Sequence, residues 1–163
     1  MANQVTTQVL VDGPRNTVIK VAAILDTSDL ASMTIVDPAL LVGTDNTGAL
    51  KAATFRILGI NFDIQDALAV NLFWDATTPV LISSLTGRGS APPSWATYGG
   101  LTNNAALAGK TGKITMTTRG WVGTLSFNLL IELVKVQSGV VNAIVGTPSS
   151  QGYTDFAGTI PLL

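Results

Sequence analysis

The feature that most constrains this chain is a two-residue alternation that restarts after every turn signal. It is clearest at Leu125, Phe127, Leu129, Ile131 and Leu133, with Ser126, Asn128 and Glu132 set between them. Successive side chains of a strand point to opposite faces, so this spacing makes one apolar face on a β-strand and scatters round a helix. Leu130 and Val134 fall on the other face, which predicts a strand covered on both sides.

Shorter versions of the pattern recur along the chain. Val5 to Val11 is closed by Asp12-Gly13-Pro14. Thr17 to Leu25 carries Ile19, Val21, Ala23 and Leu25 on one face. Met33 to Val36 should stop at Asp37-Pro38, because proline cannot donate to a ladder. A turn-rich stretch from Gly43 to Gly48 precedes Thr54 to Ile64, in which Leu58, Ile60, Phe62 and Ile64 alternate. Leu68, Val70, Leu72 and Trp74 continue the period after Asp63 to Asp66, four residues that read as a hairpin connection. Asp75 to Pro79 turns the chain into Val80 to Leu85, and strands resume at Lys113 to Thr118 and Thr124 to Val134. Residues 86–112 form the longest irregular stretch. No helical period, repeat or heptad competes, so the expectation is an all-β sandwich or barrel.

At 163 residues the chain suits one domain. We divide it into a β-domain over residues 1–136 and an extended arm over 137–163. The arm holds no Lys or Arg and ends in Ile160-Pro161-Leu162-Leu163. Its apolar residues, broken by Gly and Pro, require a surface to lie on.

Composition narrows the function. Only 12% of residues are charged while 47% are hydrophobic, against a usual charged share of about 25%. Such a surface is either rich in Thr, Ser and Asn or covered by partners. Nine basic and ten acidic residues leave a net charge of −1, which gives no footprint for nucleic acid or an anionic membrane. Cysteine and histidine are both absent, which removes thiolate metal sites, disulfides and the commonest general base. No secretory signal is visible at Met1 to Gly13, and no apolar run approaches the roughly 20 residues that span a bilayer.

Several local patterns suggest chemistry and fall short of it. Ala108-Gly109-Lys110-Thr111 ends like a phosphate-binding loop, but Asn104 stands where the first glycine belongs, and strand spacing follows at Ile114 to Thr117. Asp26-Thr27-Ser28 and Asp45-Asn46-Thr47-Gly48 are not a matched pair of aspartic-protease loops and read as turns. Asp63, Asp66 and Asp75 do not have the spacing of a calcium loop. No serine has a histidine to activate it. The chain is therefore expected to be no enzyme and to hold neither cofactor nor metal. Trp95 and Tyr98 are the aromatics most suited to a partner; the bland alternative has Trp95 capping the end of the sandwich.

The run Asn71-Leu72-Phe73-Trp74-Asp75-Ala76-Thr77-Thr78, then Gly87, then Gly99-Gly100-Leu101-Thr102-Asn103-Asn104, then Lys110-Thr111-Gly112-Lys113-Ile114 resembles a group of small bacteriophage virion proteins of the capsid decoration, or cement, type. The opening Val11-Asp12-Gly13-Pro14-Arg15-Asn16 is similar too. The likeness covers roughly residues 5–135 and is most specific over 71–118. It implies a jelly-roll-like β-sandwich, a homotrimer on the outer surface of the capsid, and the major capsid protein as partner. The protein would be made in the host cytoplasm. Trp95, Tyr98, Ile160, Leu162 and Leu163 are then the expected contact residues. A tail, neck or baseplate component is the structural alternative. A virion-displayed glycan-binding module using Trp95, Tyr98 and Trp121 is the alternative from another class.

Overall fold

The computed structural model describes residues 1–42, 52–91, 95–103 and 108–137. Nine strands lie among them: β1 (Gln4–Asp12), β2 (Asn16–Leu25), β3 (Met33–Val36), β4 (Ala52–Ile64), β5 (Ala69–Trp74), β6 (Val80–Leu85), β7 (Arg88–Ser90), β8 (Ile114–Arg119) and β9 (Leu125–Gln137). The only helical turns among the described residues are short 3-10 pieces at Pro38–Leu40 and Trp95–Tyr98.

The strands form two antiparallel sheets, ordered β1-β2-β9-β4-β7 and β3-β8-β5-β6. Four pairings explain this order: β5 with β6, β4 with β7, β3 with β8, and β2 with β9. They are the nested rungs of one long hairpin, β2 to β5 going out and β6 to β9 coming back, rolled so that successive rungs alternate between sheets. That is the jelly roll, the sandwich whose two sheets join through Greek-key connections. Among the described residues β1 stands outside the roll and pairs only with β2.

The core is what the alternation specified. Ile19, Val21, Ala23 and Leu25 of β2 and Leu125, Phe127, Leu129, Ile131 and Leu133 of β9 are all buried. From the facing sheet come Val70, Leu72, Trp74, Ile114 and Met116, with Leu68 beside them. Each large aliphatic side chain removed from water contributes about 2 kcal/mol, against the entropy of ordering the chain. Leu130 and Val134, on the outer face of β9, are only half-buried, so the central strand is covered fully on one side alone.

Three further expectations change. In β4 the core side chains are Phe55, Ile57, Ile60 and Ile64, not a single run through Leu58. The pairing with β9 slips between Ile57 and Gly59, so Leu58 is an extra residue that moves the inward face from odd to even positions. Asp63 to Asp66 does not close a hairpin, because β4 and β5 belong to different sheets. It is a corner, held where Gln65 N–H donates to the Ser126 carbonyl at 3.1 Å and Ser126 N–H to Gln65 Oε1 at 3.0 Å. Finally, residues 86–112 are not without structure. They contain β7, the 3-10 turn at Trp95–Tyr98, and a bridge from Leu101 to Ile57.

Candidate functional site

The two sheets are unequal, and the inequality creates a surface. Four strands cover four, so the fifth, β1, overhangs the sandwich. Residues Val5, Thr7 and Val9 of β1 pair with Ala23, Val21 and Ile19, and therefore continue the core-facing side of the sheet. β2 alternates buried and exposed along its length, whereas in β1 only Val5 and Asp12 are even half-buried. A slip in pairing between Val9 and Val11 makes Leu10 a bulge residue. Val9, Leu10 and Val11 are all exposed, Leu10 at 53%. From Gln4 to Val11 the strand has no charged residue and no proline, the usual protections of a free edge.

The end of β1 is fixed by a polar knot that composition did not reveal. Lys135 lies on the inward face of β9, next in parity after Leu133, and its side chain has 0% exposure. Its Nζ donates to Asp12 Oδ1, to the Gly13 carbonyl at 2.8 Å and to the Val42 carbonyl at 2.8 Å. All three ammonium protons thus have acceptors, as a buried cation requires. Asp12 Oδ2 accepts from Val42 N–H at 2.8 Å, and Lys135 N–H donates to the Arg15 carbonyl at 2.7 Å. One cation ties the β1–β2 turn, the chain after β3 and the end of β9 together. Val42, whose N–H and carbonyl both join this knot, is exposed, as is Leu40 two residues before it.

The residues singled out from sequence are placed differently from one another. Trp95 is half-buried and packs against the core, whereas Tyr98, three residues on, is 77% exposed. The loop between them and β4 needs Gly100, with φ +96° and Arg56 Cβ only 2.8 Å from where a side chain would begin. Trp121 is half-buried, and its Nε1 donates to the Leu25 carbonyl at 3.4 Å. Ile160, Leu162 and Leu163 lie outside the described residues, as does Asp45-Asn46-Thr47-Gly48.

The aspartates serve turns. Asp29 accepts from Thr118 Oγ1, Gly120 N–H and Trp121 N–H, each at 3.1 Å. The terminal ammonium of Met1 and the hydroxyl of Thr124 both bond Asp26, which holds its carboxyl below the usual range. Ala39 N–H, then Lys113 at 3.0 Å, does the same for Asp37. Asp63 pairs with Arg88 at 2.7 Å, and Asp75 accepts from the Thr111 hydroxyl. Among the described residues no three His, Cys, Asp or Glu side chains converge to hold a metal. The phosphate-loop likeness ends in geometry as well: Gly109 has φ +67° against Thr77, and the chain enters β8 with no helix between.

Two adjoining clefts open beside β4, β7 and β9. The larger, about 710 Å³, is lined by Asp63, Gln65, Asp66, Arg88, Ser126 and Asn128 among others. The smaller, about 410 Å³, reaches Lys20, Asn61, Phe62 and Leu130. Both share Asp63, whose carboxylate is already engaged by Arg88. They offer hydrogen bonds and an apolar floor, but no activated nucleophile. Comparison with known protein families, with curated proteins and with solved structures finds no match for this chain.

Proposed function

We propose that this protein is a structural component of a phage virion, a decoration protein that stabilises the head by packing against the major capsid protein and against copies of itself. The observation that carries the reading is the overhanging edge of β1. A nine-residue strand with open backbone groups and exposed Val9, Leu10 and Val11 is a surface for another chain. The poverty of charge over the whole sequence fits the same use, since few ions need be stripped of water when such a surface is covered. The likeness of residues 71–118 to small virion proteins supplies the setting, the outer capsid surface, and the homotrimer is carried by that likeness alone. Tyr98, exposed on the short turn beside β4, is the side chain best placed to anchor the capsid partner.

Sedimentation of purified protein, alone and mixed with purified capsids, tests the reading. Self-association and co-sedimentation are expected. A protein that stays monomeric and leaves capsids in the pellet unaccompanied would overturn it. Copies per virion distinguish the head from a tail, neck or baseplate: hundreds for decoration, a ring multiple for the others. For a glycan-binding role, a glycan array comparing wild type with Trp95→Ala is the measurement. The half-buried positions of Trp95 and Trp121 leave Tyr98 as the one open ring among the three named.

A further inference from the structure

The overhanging edge of β1 and the direction in which β9 leaves the subunit point to a common use. Pairing between β2 and β9 ends at Asn16 with Val134, yet β9 continues to Gln137 beside β4 alone. The last residues of β9 therefore run out past the β1–β2 turn, which is closed over them by the bond from Lys135 N–H to the Arg15 carbonyl. Residues 138–163 start from that projecting end. The outer edge of β1 in the same subunit lies on the far side of the β1–β2 turn from that end. The stretch after β9 with a strand's composition and no charge is Val140-Val141-Asn142-Ala143-Ile144-Val145. Carried outward, the 138–163 segment spans up to about 85 Å when extended, enough to cross a neighbouring subunit of this size.

The receiving edge has matching properties. β1 is the longest strand at a sheet edge: β7 has three residues and carries Arg88, β3 has four, and β6 has six. The N–H and C=O groups on its outer edge, without a strand partner among the described residues, need partners once water is displaced, and its uncharged Gln4-to-Val11 stretch sets no ion against an incoming apolar strand. We infer that the 140–145 segment of one copy adds as a strand to the free edge of β1 of a neighbouring copy, so that subunits are linked by exchanged C-terminal arms. The inference rests on the assembly reading above, and names what covers the edge.

The chain contains no cysteine, so introduced pairs report without background. The full chain carrying Gln8→Cys is combined in turn with Val140→Cys, Val141→Cys and Asn142→Cys, covering one step of register either way. It is then oxidised and run on a denaturing, non-reducing gel. A disulfide forms only where Cα atoms come within about 4.4–6.8 Å. The expected result is a product of at least twice the chain mass for one or two of the pairs, absent from the single-cysteine controls. A fast-migrating monomer, meaning an arm folded on its own subunit, would overturn the inference. So would a dimer from Gln8→Cys alone, meaning β1 paired with β1, or no product from any pair. Leu10→Lys, at an exposed bulge, gives the second arm of the test. It should leave the far-ultraviolet β spectrum unchanged and return the particle to monomer mass. Unchanged oligomer mass with an intact spectrum also overturns the inference. Crosslinked copies that ignore capsids would sink the virion reading and leave arm exchange standing.

Discussion

Replacing Lys135 by methionine should be the most costly single change outside the apolar core. The substitution keeps the volume of the side chain and removes only its charge and donors. It leaves Asp12 without its cation and the Gly13 and Val42 carbonyls without a donor. Breaking a buried ion pair from one side costs about 3–5 kcal/mol. Asp12 retains the Val42 N–H, and its side chain is 21% exposed, so part of its charge is screened by water and the lower end applies. We therefore expect a loss of about 3 kcal/mol, roughly 6–12 °C in Tm for a domain of this length. Urea unfolding followed by tryptophan fluorescence measures it. Asp12→Asn in the Lys135→Met background removes the stranded carboxylate, so the double variant should recover about 1–2 kcal/mol relative to additive losses. A loss below about 1 kcal/mol for Lys135→Met, the scale of an exposed pair, would refute the sealed knot.

Glycine positions give a paired comparison. Gly120→Ala places Cβ 2.2 Å from the Ala67 carbonyl oxygen at φ +96°, whereas Gly99→Ala, at φ +81°, meets nothing within 4 Å. The second should cost about 1 kcal/mol by thermal denaturation, and the first about 3 kcal/mol because the β4–β5 corner must also shift. Asp37 is held below its ordinary range by Ala39 N–H and by Lys113. The native state then binds fewer protons than the unfolded chain, so this stabilisation is present above about pH 4 and fades as pH falls through the lowered value. Asp37→Asn should flatten that part of the acid limb in a urea titration run from pH 5 to pH 2; an unaltered limb rejects the assignment. Tyr98→Ala should change stability by less than about 0.5 kcal/mol while reducing co-sedimentation with capsids; equal co-sedimentation removes Tyr98 from the interface.

How far the fold could be read from sequence follows from which interactions are local. Side-chain parity is local, so the inward faces of β2, β5 and β9 are legible residue by residue. β4 misleads because its parity changes partway. Phe55 and Ile57 face inward on odd positions and Ile60 and Ile64 on even ones, while Leu58 continues the even series in sequence although it stands at the slip between Ile57 and Gly59. β7 escaped notice because three residues, Arg88 to Ser90, carry no alternation. Their strand character comes from pairing with Asn61 to Asp63, a contact remote in sequence. The strand order is remote too, and the hairpin expected at Asp63 to Asp66 shows the error that follows. Turn residues report that the chain reverses, but not whether it returns to the same sheet.

The knot and the edge differ in the same way. Lys135 had a signal within reach of the sequence: it occupies the sixth inward position of a series that runs Leu125, Phe127, Leu129, Ile131, Leu133. A lysine on the core side of a strand demands a carboxylate and carbonyls around it. Which aspartate answers is set by how β1 and β9 flank β2, so Asp12 read only as a turn residue. The openness of β1 had no signal at all, because Val5, Val9 and Val11 look like any other strand. Only the count of strands in each sheet shows that, among the described residues, no strand of the facing sheet stands over β1 beyond Val5. That mismatch, five strands against four, leaves Val9, Leu10 and Val11 of an ordinary apolar strand exposed. It is a property of the fold that local composition does not carry.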